Sequence, residues 1–219
     1  MSQELTVTEL DPARVVEVAR LHCEVFTRSP SGRLGPHYVQ GLVRWFLAYD
    51  GAVVLAATDA GGAVVGYAFG APAAYGVTLR RDLRGTAAGA LMRRPWALFG
   101  PDVVTTMAGY VGQLWRIRRR SGAGGKATAP PVLPAPAAAP PSWSLVAIAV
   151  SPAHRRSSIG RRLLDEFEDR SRRLGAGELR LTVTVDNLAA RRFYDRAGWE
   201  SGPPRPDGTV SYAKRLADT

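Results

Sequence analysis

The chain has 219 residues, 46% hydrophobic and 22% charged, an ordinary globular balance with enough apolar material for a sizeable core. A single cysteine, Cys23, excludes an internal disulfide framework, and no apolar run is long enough to span a bilayer. The net charge of +10 is local: between Pro72 and Pro141 ten Lys and Arg stand against Asp82 and Asp102, which excludes a uniformly basic, nucleic-acid-coating body. With no secretory leader at the N-terminus, the expected compartment is a reducing cytoplasm.

Residues 5–10, LTVTEL, alternate like a strand. Asp11 followed by Pro12 signals a helix start, a capping carboxylate before the residue best tolerated in a first turn, and Val15, Val18, Leu21 and Val25 continue at helical spacing. SPSGRLG (29–35) reads as a loop and PHYVQGLVRWFLAY (36–49) as a second helix. The apolar runs AVVLAATD and GAVVGYAFG, joined through a short glycine turn, predict an antiparallel hairpin. Two helical patterns follow, over 79–100 and 101–120, then a Gly-, Ala- and Pro-rich stretch over 121–142 without periodicity, expected to be a flexible linker.

After that stretch the pattern sharpens. LVAIAV (145–150) has the continuous apolarity of a strand buried on both faces. Ile159, Leu163, Leu164, Phe167 and Leu174 mark a helix stripe, with acids and arginines expected opposite. ELRLTVTV (178–185) is a strand, NLAARRFYDRAG a short helix stopped by Gly198, and Trp199 with GTVSYAKRL (208–216) supplies two closing strands. A strand–helix–strand unit with so short a crossover predicts parallel pairing.

The junction SPAHRRSSIGRRLL (151–164) joins the buried strand to the helix. The first amides of a helix lack internal partners and its dipole favours an anion, while Arg155 and Arg156 add fixed positive charge. These are the ingredients of a diphosphate site, or of a plain charged turn. Neither G-x-G-x-x-G nor G-x-x-x-x-G-K-[ST] occurs here, which argues against a dinucleotide fold or a P-loop.

Two elements together carry a resemblance. AVSPAHRRSSIG resembles the first signature of the GNAT family of acyl-CoA-dependent N-acetyltransferases, with Arg155, Ser158 and Gly160 at its three places, the middle one a glycine in the family. NLAARRFYDRAGW matches the second, through Asn187, Ala190, Phe193, Tyr194, Gly198 and Trp199. The resemblance covers about 144–216. It implies an α/β fold: a mixed central sheet of about six or seven strands, splayed at the cofactor strand and flanked by helices. It also implies a single domain over 1–219, with a helical basic insertion over 72–120 and the linker over 121–142.

The resemblance further implies acetyl-CoA, or another short acyl-CoA, as cosubstrate. Its pantetheine would lie along Ile148, Ala149 and Val150, and its diphosphate on the amides of Arg155, Arg156, Ser157, Ser158, Ile159, Gly160 and Arg161. A backbone N–H near Val150 would stabilise the oxyanion. Phe193 would border the cofactor, Asn187 would hold it or an attached water, and Tyr194 would protonate the departing thiolate. No metal is expected. The glutamate that ribosomal-protein alanine acetyltransferases carry five residues before the motif asparagine is Thr182 here, which leaves the general base open among His22, Glu24, His37 and Asp186. Each of those reads first as a structural or solvated residue.

The expected activity is transfer of a short acyl group to the primary amine of a small molecule, an amino sugar or sugar nucleotide among the candidates. The alternatives are a protein or peptide amine, or a non-catalytic module that senses CoA or binds nucleic acid or membrane through its basic insertion. No specific nucleic acid is expected, peripheral membrane contact would run through 80–120, and the chain would be a monomer or homodimer.

Overall fold

The computed structural model describes residues 5–93, 140–155 and 157–216. Seven strands form one sheet: β1 (Thr6–Glu9), β2 (Val53–Thr58), β3 (Val64–Pro72), β4 (Ser142–Val150), β5 (Glu178–Thr184), β6 (Glu200–Pro204) and β7 (Thr209–Arg215). Their spatial order is β1-β2-β3-β4-β5-β7-β6, antiparallel throughout except for the β4–β5 pair. The mixed sheet and its flanking helices are those the sequence implies. β4 begins at Ser142, inside the stretch read as linker, because the Pro141 carbonyl already accepts the Gly177 and Glu178 amides.

One face is covered by α1 (Val15–Val25), α2 (Pro30–Leu34) and α3 (Pro36–Ala48), together with α4 (Tyr75–Asp82) and α5 (Arg84–Arg93). Asp11 caps the turn that leads into α1, accepting the Ala13 amide at 2.9 Å. SPSGRLG is not a loop: Ser29 accepts the Gly32 amide at 3.1 Å and Pro30 opens α2, a capped start followed by a proline in the first turn. Over its described part, to Arg93, the helix predicted over 79–100 is two, bent at the buried Leu83, and Trp45 Nε1 donates to Asp82 at 2.9 Å to hold α4 against α3. The pattern over 101–120 and nearly all of the expected linker lie outside the described residues.

The other face carries α6 (Ile159–Arg173) and α7 (Leu188–Arg196). Ile159, Leu163, Leu164 and Phe167 bury their side chains against β2, β3 and β4. That approach depends on glycine in β3. A Cβ at Gly70 would fall on the Ser144 carbonyl oxygen and 2.7 Å from the Phe167 ring, and one at Gly66 would lie 3.0 Å from Leu163. Two expectations for α6 are corrected. Leu174 is 48% exposed, since the helix ends before it, and Glu168 belongs to the buried side. Its carboxylate accepts Trp199 Nε1 at 2.8 Å and Lys214 Nζ at 2.6 Å, a pairing no period reveals.

Candidate acyl-transfer site

The site begins where two strands part. β4 pairs with β5 only through Ser142, Trp143 and Ser144, opposite Glu178, Leu179 and Arg180. Beyond them β4 continues to Val150 paired with β3 alone, from Leu145 opposite Gly70 to Val150 opposite Gly66. The register slips by one residue at Val146, a bulge that re-aims the strand where the separation starts. The β5-facing backbone groups of Leu145–Val150 therefore have no ladder partner, and unpaired strand groups are a template for an extended ligand. This corrects the expectation of a strand buried on both faces: Ile148 and Val150 are half-buried, because β5 has moved away, while Ala149 is buried against the α1–α3 layer.

The chain leaves β4 through a 3-10 turn, Pro152–His154, and enters α6 at Ser158. Ser158 has φ 61° and ψ −2°, the one non-glycine residue in the left-handed region among the described residues. That is the conformation for which glycine stands in the signature. Serine is held there by local bonds: its hydroxyl donates to the Ser157 carbonyl at 2.6 Å, and the Ser157 hydroxyl donates to the His154 carbonyl. The first bond closing α6 onto its cap runs from the Arg162 amide to the Ser158 carbonyl, 3.0 Å. The amides of Ile159, Gly160 and Arg161 precede it, so the helix offers them no acceptor.

Side chains at this corner divide into three kinds. Ile159 is buried and can give only its backbone. Arg155, Ser157 and Ser158 are exposed, and Arg161 is exposed but paired with Asp165 at 2.8 Å. Arg156 lies outside the described residues. A Cβ on Gly160 would sit 3.7 Å from both the Phe193 ring and Val150 Cγ2, so the end of β4, the start of α6 and Phe193 on α7 meet at one point.

Asn187 caps α7, its side-chain oxygen accepting the Ala190 amide at 3.1 Å, and is exposed. Tyr194, 6% exposed, packs its ring at 5.2 Å on Phe193 and at 5.7 Å on both Trp199 and Tyr212. Burial pushes its pKa up, so the phenol keeps its proton and is available as an acid.

The residues weighed as base are not assembled here. His22 is buried, its Nδ1 2.7 Å from the Tyr67 hydroxyl and its Nε2 2.8 Å from the Ser31 hydroxyl. Burial pushes its pKa down to about 4, which makes it a neutral structural link between α1, α2 and β3. Glu24, His37 and Asp186 are exposed.

Sequence reasoning missed the cleft beside the gap. A cavity of about 580 Å³ on the α4 side is lined by Tyr75, Val146, Glu178, Arg180, Glu200 and Arg205, with Ser211 and Ala213 among its other residues. The signal was present: alternation in ELRLTVT sends Leu179, Leu181 and Val183 to the core and Glu178, Arg180 and Thr182 to the opposite face.

Comparison with known proteins agrees with this geometry. The model of the Acetyltransferase (GNAT) family matches residues 17–199. Solved structures share the fold at low identity. An acetyltransferase of the GNAT family from Staphylococcus aureus is 10% identical with a TM-score of 0.58, covering 98% of this chain and 100% of its own. YncA from Salmonella typhimurium, solved with its cofactor acetyl-CoA, is 15% identical with a TM-score of 0.59, covering 98% and 95%. The ribosomal-protein-S18-alanine N-acetyltransferase from Escherichia coli is 14% identical with a TM-score of 0.54, covering 99% and 96%. None of the curated proteins matches this chain. The family match spans most of the sequence and includes both signature segments, and this chain belongs to the GNAT family of acetyltransferases.

Proposed function

We propose that the chain transfers an acetyl or other short acyl group from acyl-CoA to the primary amine of a small molecule, as one domain with a basic insertion and a linker between β3 and β4. The observation that carries this reading is the parting of β4 from β5 after Ser144, next to a helix start whose amides are unpaired. An extended pantetheine fits the open edge at Ile148, Ala149 and Val150, and a diphosphate fits the turn from Arg155 to Arg161, including Arg156, Ser157, Ser158, Ile159 and Gly160. Phe193 walls the cofactor, and Asn187 holds it or a water. YncA, which shares the fold, was solved with acetyl-CoA.

The cosubstrate supplies the activated thioester, and the chain supplies orientation and proton transfer. The acceptor nitrogen attacks the thioester carbon, and a backbone N–H near Val150 bonds the oxygen on which charge develops. The carbon–sulfur bond then breaks and Tyr194 gives its proton to the sulfur. The proton lost by nitrogen passes to water in the polar cleft, since Thr182 stands where a related enzyme class carries glutamate. That substitution also weighs against a protein N-terminus as acceptor. In the described cleft Arg180 bonds Glu178 through Nε at 2.6 Å and Arg205 lines the same cavity, so guanidinium donors remain for an acidic group on the acceptor.

The test is the full chain with acetyl-CoA. Acetyl-CoA at a hundred times its Kd should stabilise the fold by about 2.7 kcal/mol, read as a rise in Tm. Free CoA should then be released with small amines and not with peptides. Stabilisation without turnover on any amine would favour a CoA-sensing module, and turnover confined to peptides would replace the acceptor class.

A further inference from the structure

In the transfer step proposed above, Tyr194 on α7 brings its hydroxyl to the sulfur of a cosubstrate whose diphosphate is held at the start of α6. The acid and the cosubstrate are therefore anchored on different helices. Among the described residues nothing hydrogen-bonds the Tyr194 hydroxyl, so its position follows from the α7 backbone and the rings packed around it. Both are fixed at the end of α7. The Ala197 and Trp199 amides each donate to the Tyr194 carbonyl at 3.0 Å. Between them stands Gly198, whose φ of 78° turns the chain out of the helix.

One buried carboxylate holds both sides of that turn, directly and through a lysine. Glu168, 5% exposed, accepts Trp199 Nε1 at 2.8 Å on one oxygen and Lys214 Nζ at 2.6 Å on the other. Lys214 Nζ also donates to the Ala197 carbonyl at 3.0 Å. The Trp199 ring so held lies 5.7 Å from the Tyr194 ring, as does the ring of Tyr212, which shares β7 with Lys214. Glu168 itself stands on α6, about 14 Å from Ile159 at about 1.5 Å per residue. The carboxylate thus ties the helix that begins at the diphosphate turn to the helix that carries the acid.

Stability is a weak reason for such a pair. Taking two charges out of water offsets much of their attraction, and apolar groups of similar size often hold a core as well. What an apolar pair lacks is direction. Glu168 fixes two donors in set places, and a misplacement of about 1 Å at a reacting group costs about 100-fold in rate. We infer that Glu168 and Lys214 are positioning residues for the transfer step, holding the end of α7 so that the Tyr194 hydroxyl meets the thioester sulfur. The inference rests on the acyl-transfer reading above.

The experiment is a double-mutant cycle on the full chain, reading initial rates of CoA release with an amine that the parent acylates. Glu168→Gln combined with Lys214→Met removes both charges and keeps an acceptor for Trp199. The combination should lower kcat by about tenfold or more, with amine KM and acetyl-CoA Kd changed by less than about twofold. In a Tyr194→Phe background it should change kcat by less than about twofold, because no phenol is left to misplace. A purely structural role would lower kcat equally in both backgrounds; that result, or an undiminished kcat, overturns the inference. If acetyl-CoA does not raise the Tm of the combined variant, Glu168→Asp, shorter by one methylene, takes its place under the same two criteria, with a smaller loss of kcat expected. A Tyr194→Phe protein as fast as the parent removes the acid and this inference with it, while leaving the transfer itself standing. Absence of turnover by the parent with every amine overturns both.

Discussion

Tyr194 joins two properties that pull in different directions. Its ring is core, packed on Phe193, Trp199 and Tyr212, while its hydroxyl is the proton donor proposed for the leaving sulfur. Tyr194→Phe separates them. The packing is conserved, so stability should change by less than about 1 kcal/mol, while kcat should fall by about 100-fold or more. Because burial raises the phenol's pKa, this acid stays protonated through the whole neutral and mildly alkaline range. An alkaline decline in rate below about pH 10 then belongs to another group, and the same decline should persist in the Phe variant.

Ser158 tests the turn in the same way. A β-branched residue is strained at φ 61°, so Ser158→Val should weaken acetyl-CoA affinity by at least tenfold, whereas Ser158→Gly should keep or tighten it. Isothermal titration with acetyl-CoA reads both. Equal affinity in the two variants would separate the cofactor site from this corner.

At the scale of elements, the helix after the turn sits where it does because β3 has no side chain beneath it at Gly66 and Gly70. Gly70→Ala would drive a methyl into the Ser144 carbonyl and the Phe167 ring, and neither is the free end of a flexible chain. The expected cost is about 3 kcal/mol or more, read from denaturant unfolding. Since Ser144 is also the last rung shared with β5, any relaxation should shift the mouth of the gap and lower acetyl-CoA affinity as well. Loss of stability without loss of affinity would show that the gap does not depend on this contact.

The whole molecule carries its own pH dependence. His22 is buried neutral between Tyr67 and Ser31, with its pKa pushed down to about 4 by burial. The unfolded chain binds that proton near pH 6.5, the folded chain only near 4, so stability falls as pH drops through this window and is unaffected above it. The loss should reach about 3 kcal/mol by pH 4. His22→Asn should be less stable at pH 7 yet show a flatter decline, and denaturant titrations at pH 7, 5.5 and 4 separate the two effects. A parent protein equally stable at all three would contradict this assignment.

Much of this molecule is written in local sequence. Apolar spacing marks α1, α3 and α6, alternation marks β1 and β5, and the Asn187–Trp199 signature marks the family, because periodicity and cap chemistry act over a few neighbours. α2 was hidden, since Pro, Ser and Gly read as a loop until the Ser29 cap and its hydrogen bond are seen. Glu168 was hidden too: its partners, Trp199 and Lys214, are 31 and 46 residues away, and only the fold brings them together. The sequence by itself determined most of the strands and helices, and the family signatures at the turn after β4 and on α7. Tertiary structure alone decided that β4 parts from β5 after Ser144 and that Glu168 is buried between Trp199 and Lys214, because register, splay and charge pairing are set between strands far apart in the chain.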